Sequence, residues 1–153
     1  MTRCLCAVLL VCLSCASTKS ETKPPETEAS AGTAGKTLYE RLGGKPAIEA
    51  VIDDFLGRVA ADERINAGFA GSNVPKLRQR LVELVCQGSG GPCTYSGRDM
   101  KTVHTGMGVT GPQFDALVGH LVAALDKFKV PEKEKGELLG ILGPMRGDIV
   151  EEQ

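Results

Sequence analysis

From Thr37 onward apolar residues recur at three- and four-residue spacing, and no stretch alternates as a half-buried strand would. The pattern predicts an all-α body. A short turn at Leu38 to Leu42 precedes Gly43-Gly44, after which Ile48, Val51, Ile52, Phe55, Leu56 and Val59 form one stripe of a helix ending near Ala61. Ile65 to Phe69 is a short link. Val74-Pro75 opens a second helix, with proline suited to its first turn, and Leu77, Leu81, Leu84 and Val85 mark its apolar face to about Gln87. The glycine-rich stretch from Gly88 to Gly97 predicts an irregular loop, long for a small helical domain and suited to wrapping a ligand. Thr110-Gly-Pro-Gln113 has the form of a capping box, followed by the stripe Phe114, Leu117, Val118, Leu121, Val122, Leu125 and Phe128. Val130-Pro131 opens a last helix carrying Leu138, Ile141, Leu142, Met145 and Ile149, which Pro144 is expected to kink. No internal repeat is apparent.

The first 36 residues follow different rules. Arg3 gives a positive start, and Cys4 to Leu13 is an apolar run too short to span a bilayer as a helix, so residues 1–14 read as a signal segment. Leu13-Ser14-Cys15-Ala16 resembles the lipobox of bacterial lipoproteins, which would make Cys15 the lipidated first residue of an exported, membrane-anchored protein. An ordinary cleaved signal or a retained apolar anchor are the alternatives, and all three place the domain outside the cytosol, on the periplasmic or cell-surface side of a bacterial membrane. Residues 15–36 have almost no large apolar side chain and read as a flexible tether, which leaves 37–152 as the folded domain.

Composition narrows the chemistry. At 153 residues with a net charge of -1, the chain has room for one ordinary domain and no basic field for nucleic acid. Trp is absent and aromatics are 4%, so the core must be aliphatic. Gly106-Met-Gly108-Val-Thr-Gly111 has the spacing of a dinucleotide loop but lacks the preceding strand such a loop requires. Cys86 and Cys93, seven apart across a glycine-rich turn, suit a disulfide in an oxidising compartment, whereas a metal or redox site would need a second ligand cluster or a CxxC. His120 lies off its helix's apolar stripe and is given no role. His104, between the long loop and a well-capped helix, is either a lone metal ligand or a satisfied structural histidine.

The order of these residues resembles the group I truncated haemoglobins. Thr37-Leu-Tyr-Glu-Arg-Leu-Gly-Gly44, Ala47 to Phe55, Phe69-Ala-Gly71, Gly90-Gly91-Pro92, Tyr95-Ser-Gly97, His104 with Gly106 and Gly108, and Gly119-His120-Leu121 carry the likeness, which spans residues 37 to about 150. It implies a two-over-two helical sandwich around haem b (iron protoporphyrin IX), with His104 as the proximal iron ligand and Phe69 wedged against the porphyrin. Phe55 and Leu56 would lie on the distal side, and Leu77, Leu81 and Leu84 would line the distal wall. Met100, Val103, Val109, Phe114, Val118, Leu138 and Leu142 would touch the macrocycle or its proximal surroundings, and Arg80 a propionate. The alternative is a haem-free helical scaffold in which these residues pack only on one another.

The chain departs from that family at two places that matter. Group I members commonly hold oxygen with a tyrosine after the phenylalanine matched by Phe55 and a glutamine four residues after the position of Leu77. Here these are Leu56 and Leu81, neither of which donates a hydrogen bond. The expectation is therefore a gas-binding protein for O2, CO or NO, in transport, storage or sensing, with weak O2 stabilisation and an unidentified reductant. The alternative is a haem enzyme of the nitric oxide dioxygenase or peroxidase kind, with Gln79, Gln87, Tyr95 or Arg80 as an unconventional distal donor.

Overall fold

The computed structural model describes residues 35–151. The signal segment at 1–14, Cys15 as a lipid anchor, and most of the tether at 15–36 lie outside the described residues. Seven helices follow in order, with two 3₁₀ turns: α1 (Leu38–Arg41), α2 (Gly44–Ala61), the turn Asn66–Phe69, α3 (Val74–Gly88), α4 (Met100–His104), α5 (Gly111–Lys127), α6 (Glu132–Leu142), the turn Gly143–Met145 and α7 (Arg146–Ile149). No strand occurs among the described residues, and none of their helices is long and apolar enough to cross a membrane.

Local chemistry sets the boundaries. Thr37 and Glu40 close a capping box on α1, Thr110 and Gln113 close another on α5, and Asn73 caps α3 with Pro75 in its first turn. Helix α2 packs on both α3 and α5, while α3 and α1 each reach α6, so one helix pair crosses the other over a shared core. Ile48, Ile52, Phe55 and Val59 from α2 meet Val82, Val85 and Cys86 from α3, Leu121 and Leu125 from α5, and Leu138 from α6. Leu42, Ile48, Ile52, Val85, Leu125 and Leu138 are among the side chains lining a small apolar cavity inside this core. A partly buried guanidinium fixes α1 to α6, since Arg41 pairs with Glu134 at 2.6 Å and with Glu137.

Two expectations are corrected. Phe128 is not the end of the α5 stripe; it caps the helix and is exposed, because the chain turns through Lys129 at a φ of 55°. Pro144 breaks the last helix into α6 and α7 with a 3₁₀ turn between them, since it cannot supply the amide a continuous helix needs. On α3, Val85 of the expected apolar face is buried together with Val82 and Cys86, and Leu77, Leu81 and Leu84 are half-buried.

The bridge Cys86–Cys93, with Cα atoms 5.7 Å apart, ties the end of α3 to the following loop. Gly91 lies inside that loop where a Cβ would come within 2.5 Å of the Tyr39 ring and 2.7 Å of Cys86 Sγ, so the close approach of loop, α1 and bridge requires glycine. Loop closure of this length contributes about 2–3 kcal/mol. Cys93→Ser should lower the urea unfolding free energy by about that amount, and Leu125→Ala by about 2–5 kcal/mol; equilibrium unfolding followed by circular dichroism checks both.

Candidate functional site

Helix α4 is one turn long, capped by Asp99, whose carboxylate accepts the Thr102 amide at 2.8 Å. His104 is its last residue and is half-buried. Its Nδ1 lies 2.7 Å from the Met100 carbonyl oxygen. A carbonyl only accepts, so Nδ1 carries the proton and the lone pair is on Nε2. Among the described residues no group of three or more His, Cys, Asp or Glu side chains is placed to hold a metal ion. A metal at His104 would therefore draw most of its coordination positions from a non-protein group.

The side chains expected around such a group fall into three sets. Phe55, Phe114 and Leu138 are buried by the protein itself, at 5%, 8% and 2% exposure. Leu56, Phe69, Leu81 and Leu142 are half-buried and pack against the core. Leu77 and Leu84 on α3, Met100 and Val103 on α4, Val109 before α5 and Val118 on α5 are half-buried and outside the core cluster. These last six are apolar residues of three helices, and the protein's own packing covers them only in part. Aliphatic surface of that kind loses free energy in water at about 25 cal/mol per Å² and is suited to covering a large apolar plate. The imidazole with a free Nε2 and this incompletely covered aliphatic surface together fit a haem.

Several polar donors of α3 and the loop are already engaged. Glu83 gathers them: its carboxylate accepts from Gln79 Nε2 at 2.8 Å, Arg80 at 2.9 Å, the Ser96 hydroxyl at 2.7 Å and the Ser96 amide at 3.1 Å. Arg80, expected at a propionate, is thus engaged by Glu83. Gln87 accepts the Tyr95 amide, and the Tyr95 hydroxyl donates to the Arg98 carbonyl at 3.0 Å. The Ser96 hydroxyl, then its amide and Gln79, pull the Glu83 carboxyl down to about 2.

Two further features had no local signal in the sequence. The Glu151 carboxylate accepts the Gly106 and Gly108 amides, each at 2.6 Å, and these two contacts hold it below the usual carboxylate range, with a smaller contribution from His104. His120 Nε2 lies 2.7 Å from Asp62, the residue that ends α2, so this histidine joins two helices. Arg64 first, and then His120, hold Asp62 well below the carboxylate range.

Comparison with known proteins places the site in context. Residues 37–151 match the family model described as "Bacterial-like globin". The group 1 truncated haemoglobin of Mycolicibacterium paratuberculosis is 39% identical, the alignment covering 74% of this chain and 83% of that protein. That of Nostoc commune is 42% identical over 74% and 97% of the two chains. Among solved structures, truncated haemoglobin from Tetrahymena pyriformis in its Fe(III) form superposes with a TM-score of 0.73 at 29% identity, covering 76% of this chain and all of that one. The 2/2 haemoglobin from Synechococcus sp., in the cyanomet state with covalently attached haem, gives 0.71 at 31% identity over 75% and 98%.

Because Glu83 is ionised well below its ordinary value of 4.5, its contribution to folding is full above about pH 4.5 and is lost as pH falls through about 2. Glu83→Gln should therefore be less stable than the parent at neutral pH, with the difference closing across that window; denaturant titrations at several pH values measure it.

Proposed function

The chain belongs to the bacterial-like globin family and, within it, to the group 1 truncated haemoglobins, and on that premise we propose that it is a haem b protein that binds O2, CO and NO for transport, storage or sensing. The observation that carries the reading is the His104 ring, whose Nδ1 donates to the Met100 carbonyl and whose Nε2 is left with its lone pair. When bound, haem would supply an iron able to take a diatomic ligand. The residues of this chain do the rest. His104 supplies one nitrogen and fixes the macrocycle's orientation, and the hydrogen bond to Met100 raises the basicity of that nitrogen. Leu77, Leu84, Met100, Val103, Val109 and Val118 would exclude water from the bound haem, and Phe69 would pack against it.

On the distal side Leu56 and Leu81 offer no donor, and Gln79, Arg80 and the Tyr95 hydroxyl are engaged with Glu83 and the Arg98 carbonyl. A polar ligand such as dioxygen gains about 1–3 kcal/mol from a charge-assisted donor in a dry pocket and here goes without it. Carbon monoxide depends less on such a donor, so selectivity shifts away from O2. A distal acid or base for peroxide chemistry is missing for the same reason, which favours a carrier or sensor over a haem enzyme.

Location belongs to the same proposal. The apolar run at 4–13 followed by Cys15 fits export and lipid anchoring outside the cytosol, and the Cys86–Cys93 bridge supports an oxidising compartment. There the iron would need a reductant from outside the chain.

Purified protein supplied with haem should show a Soret band that His104→Ala abolishes, bind CO when reduced, and release O2 quickly. A long-lived O2 complex would overturn the apolar-pocket reading, and a band indifferent to His104→Ala would overturn the ligand assignment. Leu81→Gln should slow O2 release roughly tenfold to a hundredfold in stopped-flow measurements.

A further inference from the structure

The six-residue stretch from Arg146 to Glu151 does something that neither the helical pattern nor the haem reading explains. Helix α4 carries His104, and the element packed against α4 is α7. At one end of that stretch, Arg146 pairs with Asp115 and lies 5.1 Å from the Phe114 ring, which anchors it to the first turns of α5. At the other end Glu151 makes three contacts with the segment that leaves His104. Its carboxylate oxygens each take one amide, Oε1 from Gly106 and Oε2 from Gly108, at 2.6 Å, and its own amide donates to the Val109 carbonyl at 2.9 Å. Gly106 and Gly108 sit at φ of 82° and 63°, the left-handed region that glycine tolerates, and this turns both amides toward one point. Two backbone donors converging on one bidentate carboxylate form a clamp with little freedom of its own, since charge-assisted bonds of this kind are short and directional.

We propose that Glu151 is a positioning residue for the iron-binding imidazole: by clamping the Gly106 and Gly108 amides it fixes the turn that follows His104, and so the height and rotation of the His104 ring over the haem. The inference rests on the haem reading above. The Met100 carbonyl restrains the ring from the N-terminal side of α4, and Glu151 restrains its backbone from the C-terminal side. Replacing the carboxylate releases the Gly106 and Gly108 amides, while the main-chain bond from Glu151 to Val109 remains, and so loosens the turn on that side of the ring. Glu151→Gln retains an acceptor oxygen for one of the two amides, but presents a donor to the other, so it is intermediate between the parent and Glu151→Ala.

The test uses the full chain loaded with haem and compares the parent with Glu151→Ala, Glu151→Gln and Asp115→Ala. The last removes the Arg146 pair at the far end of the stretch and controls for general loosening. The readouts are the iron–imidazole stretching band of the reduced, ligand-free protein by resonance Raman, and the rate of haem transfer to an acceptor apoglobin. Glu151→Ala should shift and broaden the stretching band and raise haem loss roughly tenfold, Glu151→Gln should fall between, and Asp115→Ala should lower the melting temperature with the band unmoved. A band identical in the parent and Glu151→Ala overturns the inference, as does a band moved equally by Asp115→Ala. A parent protein that takes up haem with no iron–imidazole band, or takes up none, overturns the haem reading and the inference with it.

Discussion

The hydrogen bond from His104 Nδ1 to the Met100 carbonyl decides which ring nitrogen can act as a ligand, and most of the molecule is arranged so that this bond can exist. It requires a helix whose fourth-from-last carbonyl faces the ring, and α4 is one turn long, too short to be stable without help. Help comes from outside the helix: Asp99 caps it, α7 packs on it, and the turn at Gly106 to Gly108 is gathered by a carboxylate from 43 to 45 residues further on. The crossed pairs built from α2, α3, α5 and α6 supply a rigid floor, with the aliphatic core closed by Val59, Cys86, Leu125 and Leu138.

Much of this was legible in the sequence. The 3.6-residue period located α2, α3 and α5, and Val74-Pro75 and the Thr110 capping box located the starts of α3 and α5. Periodicity records that a face is apolar but is silent on what covers it. That is why Leu77, Leu81, Leu84 and Val85 read as one apolar face of α3 although only Val85 of them is buried with Val82 and Cys86. Phe128 misled in a related way, since its spacing continues the α5 stripe while the backbone has already turned away. Long-range polar pairs leave no local signature at all. The Glu83 hub, the Asp62–His120 pair and the Glu151 clamp join residues 13, 58 and 43 to 45 positions apart, and only the folded chain brings them together.

Polar satisfaction and the apolar distal face are two sides of one arrangement. On α3 the residues Gln79, Arg80 and Glu83 lie on a different stripe from Leu77, Leu81 and Leu84, about a third of a turn away. Glu83 collects donors from its own helix and from Ser96 in the loop, and in doing so fixes which face α3 turns outward. These ion pairs and hydrogen bonds hold Gln79 and Arg80 on their own stripe of the helix.

The bridge between Cys86 and Cys93 spans seven positions of chain, and Gly90 and Gly91 lie between its ends. Segments of about ten residues close within tens to hundreds of nanoseconds in an unfolded chain, long before helices from distant parts of a domain can find each other. The two thiols therefore meet often while the rest of the domain is still unstructured, and their oxidation asks only for an oxidant and not for a finished fold. The loop that precedes α4 can be locked while it is still part of a growing chain, so the histidine-bearing helix is assembled onto a hinge that has already been set.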